Sequence, residues 1–473
     1  MAGALTLLLS TLASGHVILH KRDSRAAVAW VGLIWLVPVL GALLYVLLGV
    51  NRIRRLAADR RALRPRLSGG PERRVSADEP TDLSALPAEA EHLRSLAALV
   101  RRLSGRPLTH GNAVTPLVNG DVAYPAMLAA IDDSRRSVAF STYIFDNVPA
   151  GQDFLEALDR ARRRGVEVRV LIDAAGARYS WPSIVHMLRR RGIRTATFGR
   201  TFVPWHMAYL NLRNHRKLLI ADGRIGFAGG MNVRAGHLLA DRPRHPVQDL
   251  HFRVEGPVVA HLMATFADDW GFCTRETLAG DAWFPRIEPA GPVVARGLPD
   301  GPDEDFEKAR FTLLGALACA RDTVCIVTPY FLPDAGLVTE LCVTAMRGVR
   351  VEILLPEVNN LRLVQWASVA QLWQVLIRGC RVYATPPPFD HTKLMLVDRA
   401  WALIGSSNWD PRSLRLNFEF NIECYDGALA AALDDLVTAK LAASRPLTLA
   451  EVNGRSLPIK LRDGVARLAA PYL

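Results

Sequence analysis

Two histidines in this chain are each followed two residues later by a lysine, and the surroundings of the two pairs repeat. The first set is His215, Lys217, Asp222, Gly229, Gly230 and Asn232; the second is His391, Lys393, Asp398, Gly405, Ser406 and Asn408. Both obey His-x-Lys-x4-Asp-x6-Gly-[Gly/Ser]-x-Asn, so six residue types recur in one register, 176 positions apart (391 minus 215). Only six of the 58 basic residues are lysines, and two of those six occupy the two demanded places.

A histidine near its ordinary pKa can attack phosphorus or carry a proton, and a lysine can neutralise the non-bridging oxygens of a phosphodiester. One motif supplies only one histidine. In-line displacement needs a nucleophile on one side of phosphorus and an acid at the leaving oxygen on the other, so two copies must face each other. His215, Lys217, His391 and Lys393 are the candidate catalytic groups. Gly230, Asn232, Ser406 and Asn408 are expected to support the phosphate. Two lysines and two asparagines around one phosphate stabilise charge without a metal, so neither metal nor cofactor is expected. Asp222 and Asp398 complete the catalytic motif, either as turn formers or as ion-pair partners of a motif Lys or Arg. His206, His237, His245, His251 and His261 have no counterpart in the other half and read as surface or structural residues.

Residues i and i+2 of a strand share a face, so each imidazole and its ammonium should point together. Asp222-Gly223 reads as a two-residue hairpin turn, which would pair Ala221 with Arg224 and set Gly230 opposite His215. The same count about Asp398-Arg399 sets Ser406 opposite His391, although Arg399 is a poor turn residue. Ahead of each motif stands the same grammar. In the first half, helix 126–133, strand 137–145, helix 153–164 and strand 166–173 precede the His-x-Lys strand. In the second, helix 311–321, strand 323–328, helix 337–347 and strand 349–355 do so. Strands alternating with helices predict an α/β fold.

At these motifs the chain resembles the phospholipase D superfamily, and within it the bacterial cardiolipin synthases. Tyr143-Ile144-Phe145, Arg213-Asn214-His215-Arg216-Lys217, Thr328-Pro329-Tyr330-Phe331 and Asn408-Trp409-Asp410-Pro411-Arg412-Ser413 carry the likeness, with Ala29-Trp30, Pro38, Gly41, Tyr45 and Gly49-Val50-Asn51-Arg52 near the start. The resemblance implies two α/β halves, each a mixed sheet flanked by helices, related by a pseudo-two-fold axis. It implies His215 as a nucleophile forming a phosphatidyl-enzyme intermediate and His391 as general acid, then base. The implied reaction joins two phosphatidylglycerol molecules into cardiolipin and releases glycerol; a phospholipase D or nuclease would use the same intermediate with water. The family also sets a carboxylate behind each histidine, and Asp249 and Glu419 match those positions. Val247-Gln248 and Asp390 depart from the family's commoner residues there.

The formal net charge of +12 is concentrated at one end: residues 1–66 hold ten Lys or Arg against two Asp, a share of +8, leaving +4 for the other 407. That favours an anionic lipid surface as partner and places nucleic acid second. Ala26 to Val50 is an uncharged run of 25 residues, enough to span a bilayer. Ala2 to Leu19 reads as a shorter first span or as a re-entrant segment, so the region holds one or two spans. Arg52 to Arg66 carries seven Arg and one Asp, which puts that flank and the domain after it on the cytoplasmic side of the bacterial inner membrane. The expected divisions are a transmembrane region at 1–51, a basic flank and tether at 52–100, and halves at 101–290 and 291–473. Six cysteines without paired spacing read as reduced core residues.

Overall fold

A computed structural model describes residues 2–21, 24–46, 86–199, 212–301 and 307–470. They form an N-terminal unit, residues 2–46, and a catalytic unit, residues 86–470.

In the N-terminal unit α1 (Ala2–His20) runs unbroken for 19 residues and is long and apolar enough to cross a membrane. The helix expected to run through Ala26 to Val50 is divided. α2 (Ser24–Leu36) stops before Val37, and α3 (Pro38–Leu44) starts after it. Pro38 lacks an amide hydrogen and its ring would strike the carbonyl four residues back, but it fits the first turn of a new helix. Gly41 then lets α3 lie hard against α2, since a Cβ there would sit 2.5 Å from the Leu33 carbonyl oxygen. Val17, Ile34 and Tyr45 form the buried centre, and Trp35 Nε1 donates to Ser14 Oγ at 3.1 Å. Residues 47–50 and the Arg52 to Arg66 run lie outside the described residues.

In the catalytic unit the first half contributes β1 (Thr109–Val118), β2 (Ser137–Thr142), β3 (Glu167–Asp173), β4 (Arg194–Phe198), β5 (Leu218–Ala221), β6 (Ile225–Gly229), β7 (Val247–Gln248) and β8 (Leu250–Glu255). The second contributes β9 (Val293–Asp300), β10 (Thr323–Val327), β11 (Arg350–Pro356), β12 (Arg381–Thr385), β13 (Phe389–Asp390), β14 (Leu394–Val397), β15 (Trp401–Gly405), β16 (Glu419–Tyr425) and β17 (Arg445–Leu447). Fifteen of these strands make one sheet in the order β17-β12-β11-β10-β14-β15-β16-β9-β1-β8-β6-β5-β2-β3-β4. Apart from β17, that order reads alike from either end. The halves therefore meet edge to edge, where β1 and β9 pair antiparallel. β2, β3 and β4 are parallel, as are β10, β11 and β12, which is why helices 149–163 and 335–346 must cross over between strands.

Next to this seam, Arg296 of β9 faces Glu423 of β16. Both side chains are fully buried, and Arg296 also donates to the carbonyls of Ala97 at 2.7 Å and Arg106 at 3.2 Å. Ala97 belongs to helix 94–104, whose Leu96, Ala97 and Val100 lie in the second half's core with Leu313 and Leu317. The globular unit thus begins earlier than the boundary near residue 100 expected from sequence. Residues 86–100 are packed chain, because Leu86, Ala90 and Leu93 carry a buried face that the polar composition around them obscured.

The two hairpins depart from the expected register by one residue. Ala221 pairs with Ile225 and Leu218 with Ala228; likewise Val397 pairs with Trp401 and Leu394 with Ile404. Three residues therefore close each loop rather than two. Asp222 and Gly223 take φ of 52° and 63°, and Asp398 and Arg399 take 53° and 52°. The left-handed conformation costs a residue such as Arg399 about 1–2 kcal/mol, and its guanidinium is held by Asp434 at 2.6 Å.

Glu423→Ala should leave the Arg296 charge buried and unpaired, lowering stability by about 3–5 kcal/mol. Denaturant midpoints measure the loss, and adding Arg296→Met should recover part of it.

Candidate active site

The residues just before each His-x-Lys pair lie alongside the other half. Asn214 bridges in parallel to Phe418, and His215 N donates to the Phe418 carbonyl at 2.9 Å. β13 pairs in parallel with β7, and His391 N donates to the Gln248 carbonyl at 2.7 Å. The residue following Phe418 is Glu419, and that following Gln248 is Asp249. The consequence is a crossed arrangement. His215 of the first half hydrogen-bonds through Nδ1 to Glu419 Oε2 of the second at 3.0 Å, and His391 through Nδ1 to Asp249 Oδ2 of the first at 2.8 Å. With Nδ1–H donating, each ring keeps its Nε2 lone pair for chemistry.

Both histidines line one cavity of about 930 Å³, with Asn232, Asn408, Tyr143 and Tyr330 in its walls. Lys217 Nζ donates back to the His215 carbonyl at 2.6 Å and Lys393 Nζ to that of His391 at 2.5 Å. Each ammonium is thus tied to the backbone of its own histidine. Arg216, between His215 and Lys217, is buried and fastens the seam: it donates to the Glu419 carbonyl at 2.9 Å and pairs with Asp269 at 2.5 Å. In the second half Lys440 holds Asp390 and Thr392 from outside.

The small motif residues serve the carboxylates. A Cβ on Gly230 would lie 2.3 Å from Asp249 Oδ1, so only glycine admits that carboxylate. Its counterpart Ser406 donates through Oγ to Glu419 Oε2 at 2.5 Å. Neither stands opposite its motif histidine as the two-residue turn would require. Asn232 Oδ1 accepts from Ile144 N at 3.0 Å, and Asn408 Nδ2 donates to Ser413 Oγ at 3.1 Å.

Asp222 and Asp398 are not in this cavity, which corrects their place in the catalytic set. Each lies five residues beyond its lysine, about 16 Å along an extended chain. Asp222 accepts from the backbone amides of Arg135, Arg136 and Ser137, the last two at 2.7 and 2.9 Å. Asp398 accepts from Arg321, Asp322 and Thr323 and meets His92 Nε2 at 2.8 Å. They fasten hairpin turns to the starts of β2 and β10. The ion pair to a motif Lys or Arg is not formed.

Among the other histidines, His237 and His245 line the cavity, while His251 and His261 are buried within the sheet and a helix; His206 lies outside the described residues. The tyrosines beside the histidines went unassigned from sequence. The Tyr143 ring stands edge-on to His215 at 5.3 Å and that of Tyr330 to His391 at 6.3 Å. They are one position apart in the repeat, since Phe145 and Phe331 make the equivalent bridges, so comparing the halves in register does not align them. All six cysteines are free thiols, as their spacing predicted.

Burial dominates the electrostatics. It brings Lys217 down to about 7 and Lys393 to about 8, with Glu419 and Asp249 opposing. It lowers His215 against the pull of Glu419, and it holds His391 well below the usual histidine range, helped by both lysine charges. The two carboxylates differ. Burial raises Asp249 to about 6, whereas for Glu419 burial is outweighed by His215, Lys217 and the Ser406 hydroxyl, which leave it below the usual range.

Two like halves, each holding the other's histidine over one cavity, define a phosphoryl-transfer enzyme of the phospholipase D type. A family model described as "Cardiolipin synthase, PLD-like domain" matches residues 127–270 and 313–439, and one described as "Phospholipase D-nuclease N-terminal" matches 8–49. Cardiolipin synthase A of Pseudomonas fluorescens is 31% identical over 474 residues, covering 99% of this chain and 97% of that protein. The cardiolipin synthase of Oceanobacillus iheyensis is 29% identical over 467 residues, covering 98% and 96%. The crystal structure of Haemophilus influenzae phosphatidylserine synthase, 14% identical, shares the fold with a TM-score of 0.64 over 82% of this chain and 100% of that one. The chain belongs to the cardiolipin synthase family of phospholipase D-like enzymes.

His215→Ala and His391→Ala should each lower kcat at least about a thousandfold, because neither ring can take the other's place; initial rates of lipid turnover measure this. A pH profile gives a second check. Asp249 takes up a proton as pH falls through about 6, and the lysines lose their charge as pH rises through about 7 and 8. Thus kcat/KM measured from pH 5 to 9.5 should peak between these limits and fall on both sides.

Proposed function

We propose that the chain transfers a phosphatidyl group from one phosphatidylglycerol to a second, giving cardiolipin and glycerol. His215 Nε2 attacks phosphorus in line, the bond to the headgroup glycerol breaks, and His391 gives its proton to the departing oxygen. A hydroxyl of the second phosphatidylglycerol then yields its proton to His391 and attacks phosphorus. The phosphorus–nitrogen bond breaks and His215 is restored. Two inversions retain configuration.

Lys217 and Lys393 neutralise the non-bridging oxygens, and Asn232 and Asn408 contribute polar groups from the cavity wall. Gly230, Ser406, Asp249 and Glu419 position the rings from behind. His391 must carry a proton for the first step although burial disfavours it. The negative charge of a bound phosphodiester opposes that effect, so the acid form arises with substrate present. The observation that carries this reading is the crossed pair of histidine–carboxylate contacts around one cavity.

Membrane lipid, rather than nucleic acid, is the substrate class supported by the apolar helix α1 and by the family. The arginine run from 52 to 66 supports an inner-membrane protein with its catalytic unit on the cytoplasmic side.

The test is full-length protein in mixed micelles with labelled phosphatidylglycerol. Cardiolipin and glycerol should appear in equal amounts, with and without EDTA. Phosphatidic acid as the main product would make the enzyme a hydrolase using the same two steps, and complete loss in EDTA restored by Mg2+ would overturn the role given to the lysines.

A further inference from the structure

Near the end of the chain, helix Leu457–Leu468 is folded with its polarity reversed. Its acid, Asp463, is 1% exposed and pairs with Arg455 and, at 2.7 Å, with Arg462. Its large apolar residues face outward: Leu457, Leu461, Val465 and Leu468 are 68%, 60%, 67% and 79% exposed. At about 100° per residue these four fall within roughly 80° of arc, opposite Asp463 and Ala466. A helix stabilised by the core alone would place them the other way round.

Lys460 and Arg467 lie toward one edge of the stripe, while Arg462, toward the other, is tied to Asp463 and stacks over Trp366. This is the composition of a helix that lies in a lipid interface. A second copy of the chain fits poorly, because two such faces would bring like charges together.

The helix also adjoins the cavity. Ala466 packs with Leu332, Val364 and Ala367, and Leu332 and Val364 are cavity residues. Beside them Leu361 and Leu363 are exposed, and in the equivalent loop of the first half, after β3, Trp181 is 94% exposed.

We propose that helix Leu457–Leu468 lies in the plane of an anionic lipid surface, its apolar stripe among the acyl chains and its cations at the headgroups, and so holds the cavity mouth against the bilayer. The inference rests on the lipid reading of the site and adds a contact surface to it, separate from α1. The protein takes its substrate laterally from the leaflet rather than from solution.

The full-length protein is reconstituted in vesicles of equal parts phosphatidylglycerol and phosphatidylcholine, with photoreactive benzoylphenylalanine in place of Leu461 or, for contrast, of exposed Met346. Irradiation should give a lipid adduct at 461 and none at 346. A protein–protein adduct at 461, or no lipid adduct, overturns the proposal. This measurement requires no turnover, so it is independent of the reaction assigned to the cavity. In a second arm Leu461→Asp with Val465→Asp should slow turnover of vesicle phosphatidylglycerol about tenfold. Turnover of dihexanoyl phosphatidylglycerol below its aggregation concentration should be unchanged. Equal loss on both substrates, or none on vesicles, also overturns it; should the double variant fail to fold, the adduct at 461 decides.

Discussion

Every part of the catalytic unit answers to the two crossed contacts, His215 with Glu419 and His391 with Asp249. A neutral imidazole serves as nucleophile or base only if its proton is held at the far nitrogen, and here that proton is held by a carboxylate from the other half. The crossed backbone pairings at Phe418 and Gln248 exist to bring those carboxylates within reach. The sheet seam at β1 and β9, with Arg296 and Glu423 beside it, fixes the halves so that a contact of about 3 Å is kept across them. Slippage by one residue at that seam would separate both pairs together.

Much of this was legible in the sequence, for identifiable reasons. The motif spacing is short and covalently fixed, so His215 with Lys217 and His391 with Lys393 could be placed together before any fold was known. The α/β grammar follows from hydrophobic runs that alternate in length. Asp249 and Glu419 came only through family likeness, since 34 residues separate Asp249 from His215 (249 minus 215). Which carboxylate serves which ring is a matter of chain crossing, and nothing local encodes it.

Other features were hidden by equally physical causes. The one-residue change in hairpin register is the same at both turns, and both close through consecutive residues of positive φ, which Arg399 gives no sign of tolerating. Asp222 and Asp398 look catalytic because they recur with the histidines, yet they recur because each half needs the same turn fastened to the same strand. The packed stretch from 86 to 100 looks like tether in the sequence because its buried face is short and its partners lie more than 200 residues away, as Gly315 does against Leu99.

The near-palindromic sheet order is that of a symmetric dimer joined into one chain. In a true homodimer the two active-site rings would be chemically identical, and neither could be committed to one task. Joining the copies covalently removes that constraint. Each position of the motif can then diverge alone, as Gly230 and Ser406 have, and as Asp249 and Glu419 have. A serine hydroxyl now supports one carboxylate, while a glycine clears space for the other. The proposed division of labour between nucleophile and proton carrier is therefore something that fusion makes heritable, and it could not be stored in a gene encoding one half.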